Sequence, residues 1–192
     1  PREALMQEIA RYRSELDSLR NRIRNIEGLP RATNAVLSMG LEAIDQALPW
    51  GGLPLSCIHH VVGESEFLPH SAFTPSASTF VAILAARLKG RGTVLWCLPR
   101  HKVADALYAA ALAVLGLEEE DLILVRAKDE SEALWAMEEG LCCPDVGAVI
   151  GSLSAPLNLT AERRLQLAAE RGETTGFLLQ PGTLVSSSSA AV

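Results

Sequence analysis

The sequence predicts an α/β fold, a predominantly parallel sheet flanked by helices, with a long helix ahead of it. Three observations carry this. Short apolar runs alternate with helical stretches from residue 58 to residue 180. The runs are apolar at consecutive positions rather than at every second one, as expected of strands covered on both faces. Strict alternation of the two element types with short connections is the pattern of parallel strands joined by crossover helices.

The long helix comes first. Between Arg2 and Glu27 there is neither proline nor glycine, and the large apolar residues are Leu5, Ile9, Tyr12, Leu16, Leu19, Ile23 and Ile26. Their spacing alternates between four and three, which draws a narrow seam on a helix about 40 Å long. The rest of that surface is polar, so the seam must lie on its own domain, a copy of itself or another protein. Gly28-Leu29-Pro30 ends the helix. The expected division is therefore residues 1–28 as an amphipathic helix, 29–181 as the core, and 182–192, which ends in SSSSAAV, as a linker or the start of a tail.

Within the core, strands are expected at Ile58–Val62, Thr93–Cys97, Leu122–Val125, Val146–Ile150 and Gly176–Gln180. Helices are expected near Thr79–Lys89, Val103–Leu115, Glu130–Leu141 and Ala161–Arg171. Asp129 with Glu132 three residues on is a capping-box opening for the third helix. Thr160 is placed to cap the fourth.

Composition narrows the chemistry. The 192 residues are 48% hydrophobic, enough for a packed core, and carry a formal charge of −6. No global positive field draws such a chain to nucleic acid, so DNA contact is expected to be weak or indirect. Cys57, Cys97, Cys142 and Cys143 form no C-x-x-C pair and no zinc spacing, and they read as reduced, mostly buried thiols. No signal peptide and no apolar run of about 18 residues is found. A cytoplasmic protein with no membrane contact is the expectation.

From Leu37 to Gly63 the chain reads LSMGLEAIDQALPWGGLPLSCIHHVVG. Asp45 followed by the Gly51-Gly52-Leu53-Pro54 turn resembles the approach to the RecA recombinase core. LPWGGLP, VLWC, ALWAMEE and RRLQLAAE together resemble the inducible mutagenesis protein A (ImuA) family, over about Leu37 to Gln180. That resemblance implies a RecA-like core and an accessory role in the bacterial SOS response, in damage-induced, error-prone translesion DNA synthesis. It implies partners too: a catalytically inactive, ImuB-type relative of the Y-family polymerases, an error-prone replicative-type polymerase subunit, and RecA. It also implies association with the nucleoid when damage is present. RecA-type proteins carry a nucleotide-sensing glutamine at the end of one strand, and Gln180 stands in the matching place; without that role it is a polar strand end.

The phosphate chemistry itself is not written in the residues. A working loop needs G-x-x-x-x-G-K-[ST], with glycines to curl backbone N–H groups around phosphate, a lysine to neutralise it and a hydroxyl for Mg²⁺. After Gly63 the second glycine position is Leu68 and the lysine position Pro69; counted back from the helix, the lysine and hydroxyl positions are Ser76 and Ala77. Glu64 and Glu66 add negative charge, and Pro69 and Pro75 remove donors. Ala148-Val149-Ile150 runs into Gly151 and Ser152 where a metal-binding aspartate belongs, and Asp145 precedes that strand. After Thr93–Cys97 no acid follows until Asp105. Gly63, Glu64, Gly151 and Gln180 thus mark a degenerate nucleotide site, with no catalytic residue, cofactor or metal expected.

Arg100, Lys102, Arg163 and Arg164, joined by Lys89, Arg91 and Arg171, are candidate phosphate contacts in a basic strip. No aromatic residue interleaves with them, so an ordinary solvated face is the plainer reading. His59 and His60 are consecutive on a strand, point to opposite faces and read as satisfied polar groups. Trp50, Trp96 and Trp135 read as core or helix-packing residues, with Trp50 also an interface anchor. The function expected is a non-catalytic RecA-like adaptor working through protein–protein contacts, with homo-oligomers formed through the N-terminal helix. The alternatives are a divergent ATP-binding RecA-type ATPase and a single-stranded DNA-binding module.

Overall fold

The computed structural model describes residues 35–48, 50–63, 75–100, 107–154 and 156–181, together with Tyr12, Glu15, Ser18 and Leu19. The chain divides into two compact units, Pro1–Arg31 and Ala32–Val192. In the first unit those four residues are helical and exposed. Leu5, Ile9, Leu16, Ile23 and Ile26 lie outside the described residues.

The second unit opens with a small feature that the sequence reading did not anticipate. β1 (Val36–Leu37) pairs antiparallel with β2 (Leu53–Pro54), and α1 (Glu42–Ala47) lies between them. The GGLP turn is explained by backbone geometry. Gly51 has φ +74°, a left-handed conformation that favours glycine, and a Cβ on Gly52 would stand 2.7 Å from the Leu37 carbonyl oxygen. Asp45 closes the same loop. Its carboxylate accepts from the Ser38 hydroxyl at 2.6 Å and from the Met39 N–H at 2.7 Å. Those two bonds hold its pKa below the usual carboxylate range.

The main body alternates as expected: β3 (Ile58–Gly63), α2 (Pro75–Ala86), β4 (Thr93–Pro99), α3 (Ala109–Val114), β5 (Leu122–Ala127), α4 (Glu130–Leu141), β6 (Val146–Ser152), α5 (Leu159–Gly172) and β7 (Thr175–Pro181). The five strands form one sheet in the order β3-β7-β6-β4-β5, and every pairing is parallel. The chain steps outward from β3 through β4 to β5, then turns back through β6 to β7. Right-handed crossovers therefore place α2 and α3 on one face and α4 and α5 on the other.

The packing agrees with that placement. Val94, Trp96, Ile150, Phe177 and Leu179 pack with Val81, Leu84 and Leu88 from the α2 side. Cys97, Val149 and Leu178 pack with Met137 and Leu141 of α4 and Leu165 and Ala169 of α5. Alternate residues of each strand serve the two clusters, so nearly every strand position is apolar.

Several local expectations need correction. α2 begins at Pro75, where a fixed φ and a missing N–H cost the first helical turn nothing. Of the helix expected over Val103–Leu115, only Ala109–Val114 is described as helical, and residues 101–106 lie outside the described residues. Asp129 does cap α4, accepting from the Glu132 N–H at 2.9 Å, but Glu132 reaches back to the Lys128 N–H rather than to Asp129. α5 is capped by Asn158, whose side-chain oxygen accepts from the Ala161 N–H at 2.8 Å, and Thr160 sits within the first turn. Trp96 is fully buried, but Trp135 is 59% exposed and is not a packing residue.

Candidate functional site

Parallel open sheets place ligands at the carboxyl ends of their strands, where neighbouring strands send their following helices to opposite faces. Here that point lies between β4, which leads to α3, and β6, which leads to α5. The residues marked by the sequence do gather along this edge. Gly63 pairs with Pro181 and Val62 with Gln180. Gly151 sits between Leu178 of β7 and Cys97 of β4. Glu64 lies outside the described residues.

Among the described residues, what fills the end of β6 is packing. Gly151 allows a close approach by α4. A Cβ there would overlap the Met137 sulfur and stand 2.6 Å and 3.2 Å from the Cε and Cγ atoms of that side chain. Ser152 is buried, and the Trp96 indole N–H donates to its hydroxyl at 3.4 Å. The Leu153 N–H donates to the Leu179 carbonyl at 3.1 Å.

The structure also brings in an acid that the sequence reading missed. Glu130, the first residue of α4, accepts a hydrogen bond from the Ser154 N–H at 2.7 Å, across the exit of β6. The two residues are far apart in sequence, and a glutamate just after a helix cap looks like an ordinary first-turn acid. Asp145 lies at the amino end of β6, where its carbonyl accepts from the Thr93 N–H at 3.0 Å. Across a seven-residue strand the two ends are about 20 Å apart.

The polar residues nearby are mutually satisfied. Gln180 is buried, with its Oε1 3.1 Å from Nδ1 of His60, on the sheet face covered by α4 and α5. His59 points to the other face. Its Nε2 lies 2.8 Å from the Pro54 carbonyl, and its ring stacks on Phe177 at 5.6 Å. Burial lowers the His59 pKa, against the opposing pull of the Pro54 carbonyl. Burial also pushes the Cys57 and Cys97 thiols up to about 12, which leaves neither as a nucleophile near neutral pH. Among the described residues no group of three or more His, Cys, Asp or Glu could hold a metal ion. Nor is any described helix long and apolar enough to cross a membrane.

Among the described residues the basic side chains do not form one strip. Arg100 is exposed at the carboxyl end of β4, and Lys102 lies outside the described residues. Arg163 and Arg164 are exposed on the first half of α5, and Arg164 pairs with Glu138. Lys89 and Arg91 lie at the opposite end of β4, with Lys89 paired to Asp121 at 2.8 Å. Arg91 and Arg171 line a cavity of 380 Å³ at that amino end, beside Cys142 and Glu173. Strand direction divides the set, which spacing along the chain does not show.

No protein-family model matches the chain. Over 156 residues, 80% of the chain, it is 40% identical to Protein ImuA of Caulobacter vibrioides, in strain NA1000 / CB15N and in strain ATCC 19089 / CIP 103742 / CB 15 alike. The chain spans 61% of the length of those curated relatives. It is 31% identical over 87 residues to Cell division inhibitor SulA of Edwardsiella piscicida, covering 45% of the chain and 49% of that relative. A crystal structure of SulA from Pseudomonas aeruginosa overlaps 64% of this chain and 97% of that one, with a TM-score of 0.47 and 23% identity.

Proposed function

The chain belongs to the ImuA family over the 156 residues that match, and on that premise we propose that it is a non-catalytic RecA-like accessory of damage-induced, error-prone translesion DNA synthesis. One observation supports the non-catalytic part most directly. At the carboxyl end of β6, the place of a metal-binding carboxylate is taken by Gly151, and Met137 fills the space beside it. Phosphoryl transfer depends on preorganised charge around the triphosphate and its magnesium. Glu130, a carboxylate brought to the exit of β6, already accepts the Ser154 N–H.

With no chemistry of its own, the core acts as a platform. Its partners are an inactive, ImuB-type relative of the Y-family polymerases, an error-prone replicative-type polymerase subunit and RecA. The apolar seam from Leu5 to Ile26 is one docking element. DNA contact is weak or reaches the chain through those partners, in keeping with a charge of −6.

Two measurements test this. Titration calorimetry with Mg-ATP is expected to give no heat at micromolar protein, and phosphate release is expected to stay at the no-protein background. Micromolar binding or sustained turnover would replace the platform with an enzyme. Co-purification with the ImuB-type polymerase relative is the expected positive result, and its failure with both full-length proteins would remove the adaptor role.

A further inference from the structure

The sheet order leaves β5 at one edge, paired with β4 alone. From Ile123 to Ala127, the backbone hydrogen bonds among the described residues run only to β4. Alternate residues of such a strand turn their N–H and C=O groups away from the sheet, which makes the edge a template for another strand. Natural edges are usually blunted by proline, a bulge or inward-pointing charge. β5 reads LILVRA, with neither proline nor glycine, and its register with β4 is unbroken. Ile123 is 53% exposed and Leu122, Leu124 and Val125 are half-buried, whereas every residue of the interior strand β7 is buried.

The two ends of this edge carry opposite charge. Glu119 and Glu120, just ahead of the strand, are exposed. Arg126 within it and Lys128 just past it are exposed as well, and neither base makes an ion pair among the described residues. The other charges nearby are committed inside the chain. Glu118 accepts from the Asp121 N–H, and Asp121 pairs with Lys89 at 2.8 Å. Asp129, Glu130 and Glu132 accept from the backbone N–H groups of Glu132, Ser154 and Lys128.

That layout is its own complement. A two-fold axis perpendicular to the sheet lays two copies of β5 antiparallel, so the acidic end of each meets the basic end of the other. Setting Arg126 opposite Glu120 also sets Leu122 opposite Leu124 and places Ile123 opposite its own copy, on the axis. Residues opposite one another in an antiparallel pair share a face, so the two exposed Ile123 side chains cover each other. Nucleic acid is a poor occupant, because Glu119 and Glu120 would repel its phosphates. β3, the other edge, contains no Lys, Arg, Asp or Glu and has no base beside either end, so it lacks this match to itself.

We propose that β5 is the contact edge of a two-fold homodimer, in which antiparallel β5–β5 pairing joins the sheets of two copies into one. The inference does not rest on the proposed function, because its readout is mass.

Sedimentation velocity of the full chain in low salt, from low to high micromolar, is expected to show a rise to the mass of two chains. Ile123→Lys, which sets like charges together on the axis, should hold it at one chain with an unchanged circular dichroism spectrum. Arg126→Glu with Lys128→Glu makes both ends of the edge acidic, and Glu119→Lys with Glu120→Lys makes both basic. Each of these double variants alone should sediment as one chain, and an equimolar mixture of the two should recover the mass of two. A single-chain mass across the range overturns the proposal. So does a dimer that survives Ile123→Lys or either double reversal, and so does a mixture that stays at one chain. Dissociation by Leu19→Glu with no effect of Ile123→Lys would move the contact to the N-terminal seam. A monomer that loses the ImuB-type partner on Ile123→Lys would give the edge to a strand of that partner instead.

Discussion

Replacing Gly151 with alanine tests whether the carboxyl end of β6 is closed by packing. The new methyl group would overlap the sulfur of Met137, a side chain with no solvent exposure in the cluster it shares with Leu141 and Val149. To restore ordinary contact the sulfur must retreat by about 1 Å or more, against a densely filled interior. Methionine adapts better than most residues, which keeps the cost from being larger. Overpacking of this kind costs about 1–3 kcal/mol. For a domain of this size each kcal/mol lowers the melting temperature by about 2–4 °C.

The assay is urea denaturation of four proteins: parent, Gly151→Ala, Met137→Ala and the double variant. Met137→Ala alone should cost about 2–5 kcal/mol, because it leaves a cavity. In that background the offending sulfur and its neighbours are gone, so the alanine at 151 should cost almost nothing. A coupling energy of about 1–3 kcal/mol is the signature. An unchanged midpoint for Gly151→Ala, or the same loss in both backgrounds, would refute the reasoning. Gly151→Asp would meet the same sulfur, so restoring the carboxylate alone should not restore a metal site.

Two further outcomes follow from the local geometry. Asn158→Ala should cost about 1 kcal/mol through loss of the α5 cap, while Thr160→Ala should stay within about 0.5 kcal/mol, as denaturant midpoints will show. His59 has a lowered folded pKa, so the unfolded chain takes up its proton first. Stability should be full above about pH 6.5 and fall as the pH drops below it, by at most about 1.4 kcal/mol per pH unit from this residue. Midpoints for His59→Gln should fall less steeply than the parent's over that range, and parallel profiles would discount the burial argument.

The sheet was legible because its signal is local. Five apolar runs were each placed where a strand lies, and each strand extends one or two residues beyond its run because backbone pairing continues after the apolar pattern ends. The cap at Asp129 was also visible, whereas the choice between Asn158 and Thr160 was not. Both residue types cap helices, and what decides is which one holds an extended backbone, here Asn158 with φ −81° and ψ 157°. Trp135 was misread because residue type argues for burial while its position on the outward side of α4 does not. The β1–β2 pair was missed because two strands of two residues leave no periodicity. At the candidate site, the lack of a lysine and a metal carboxylate could be read from the string. The Met137–Gly151 contact and the Glu130–Ser154 bond join distant parts of the chain and could not.

The sheet order has a consequence for how the molecule comes to exist. β3, first of the five strands to be synthesised, finds its neighbour in β7, the last: Ile58 pairs with Gly176. While the chain is growing on a ribosome, β3 waits with no partner until more than a hundred further residues have emerged. Closing so distant a pairing is entropically demanding, and it slows folding. The core cannot be completed in stages from the amino end, and a nascent chain stopped after β6 would present the bare edge of β3 to any neighbouring strand.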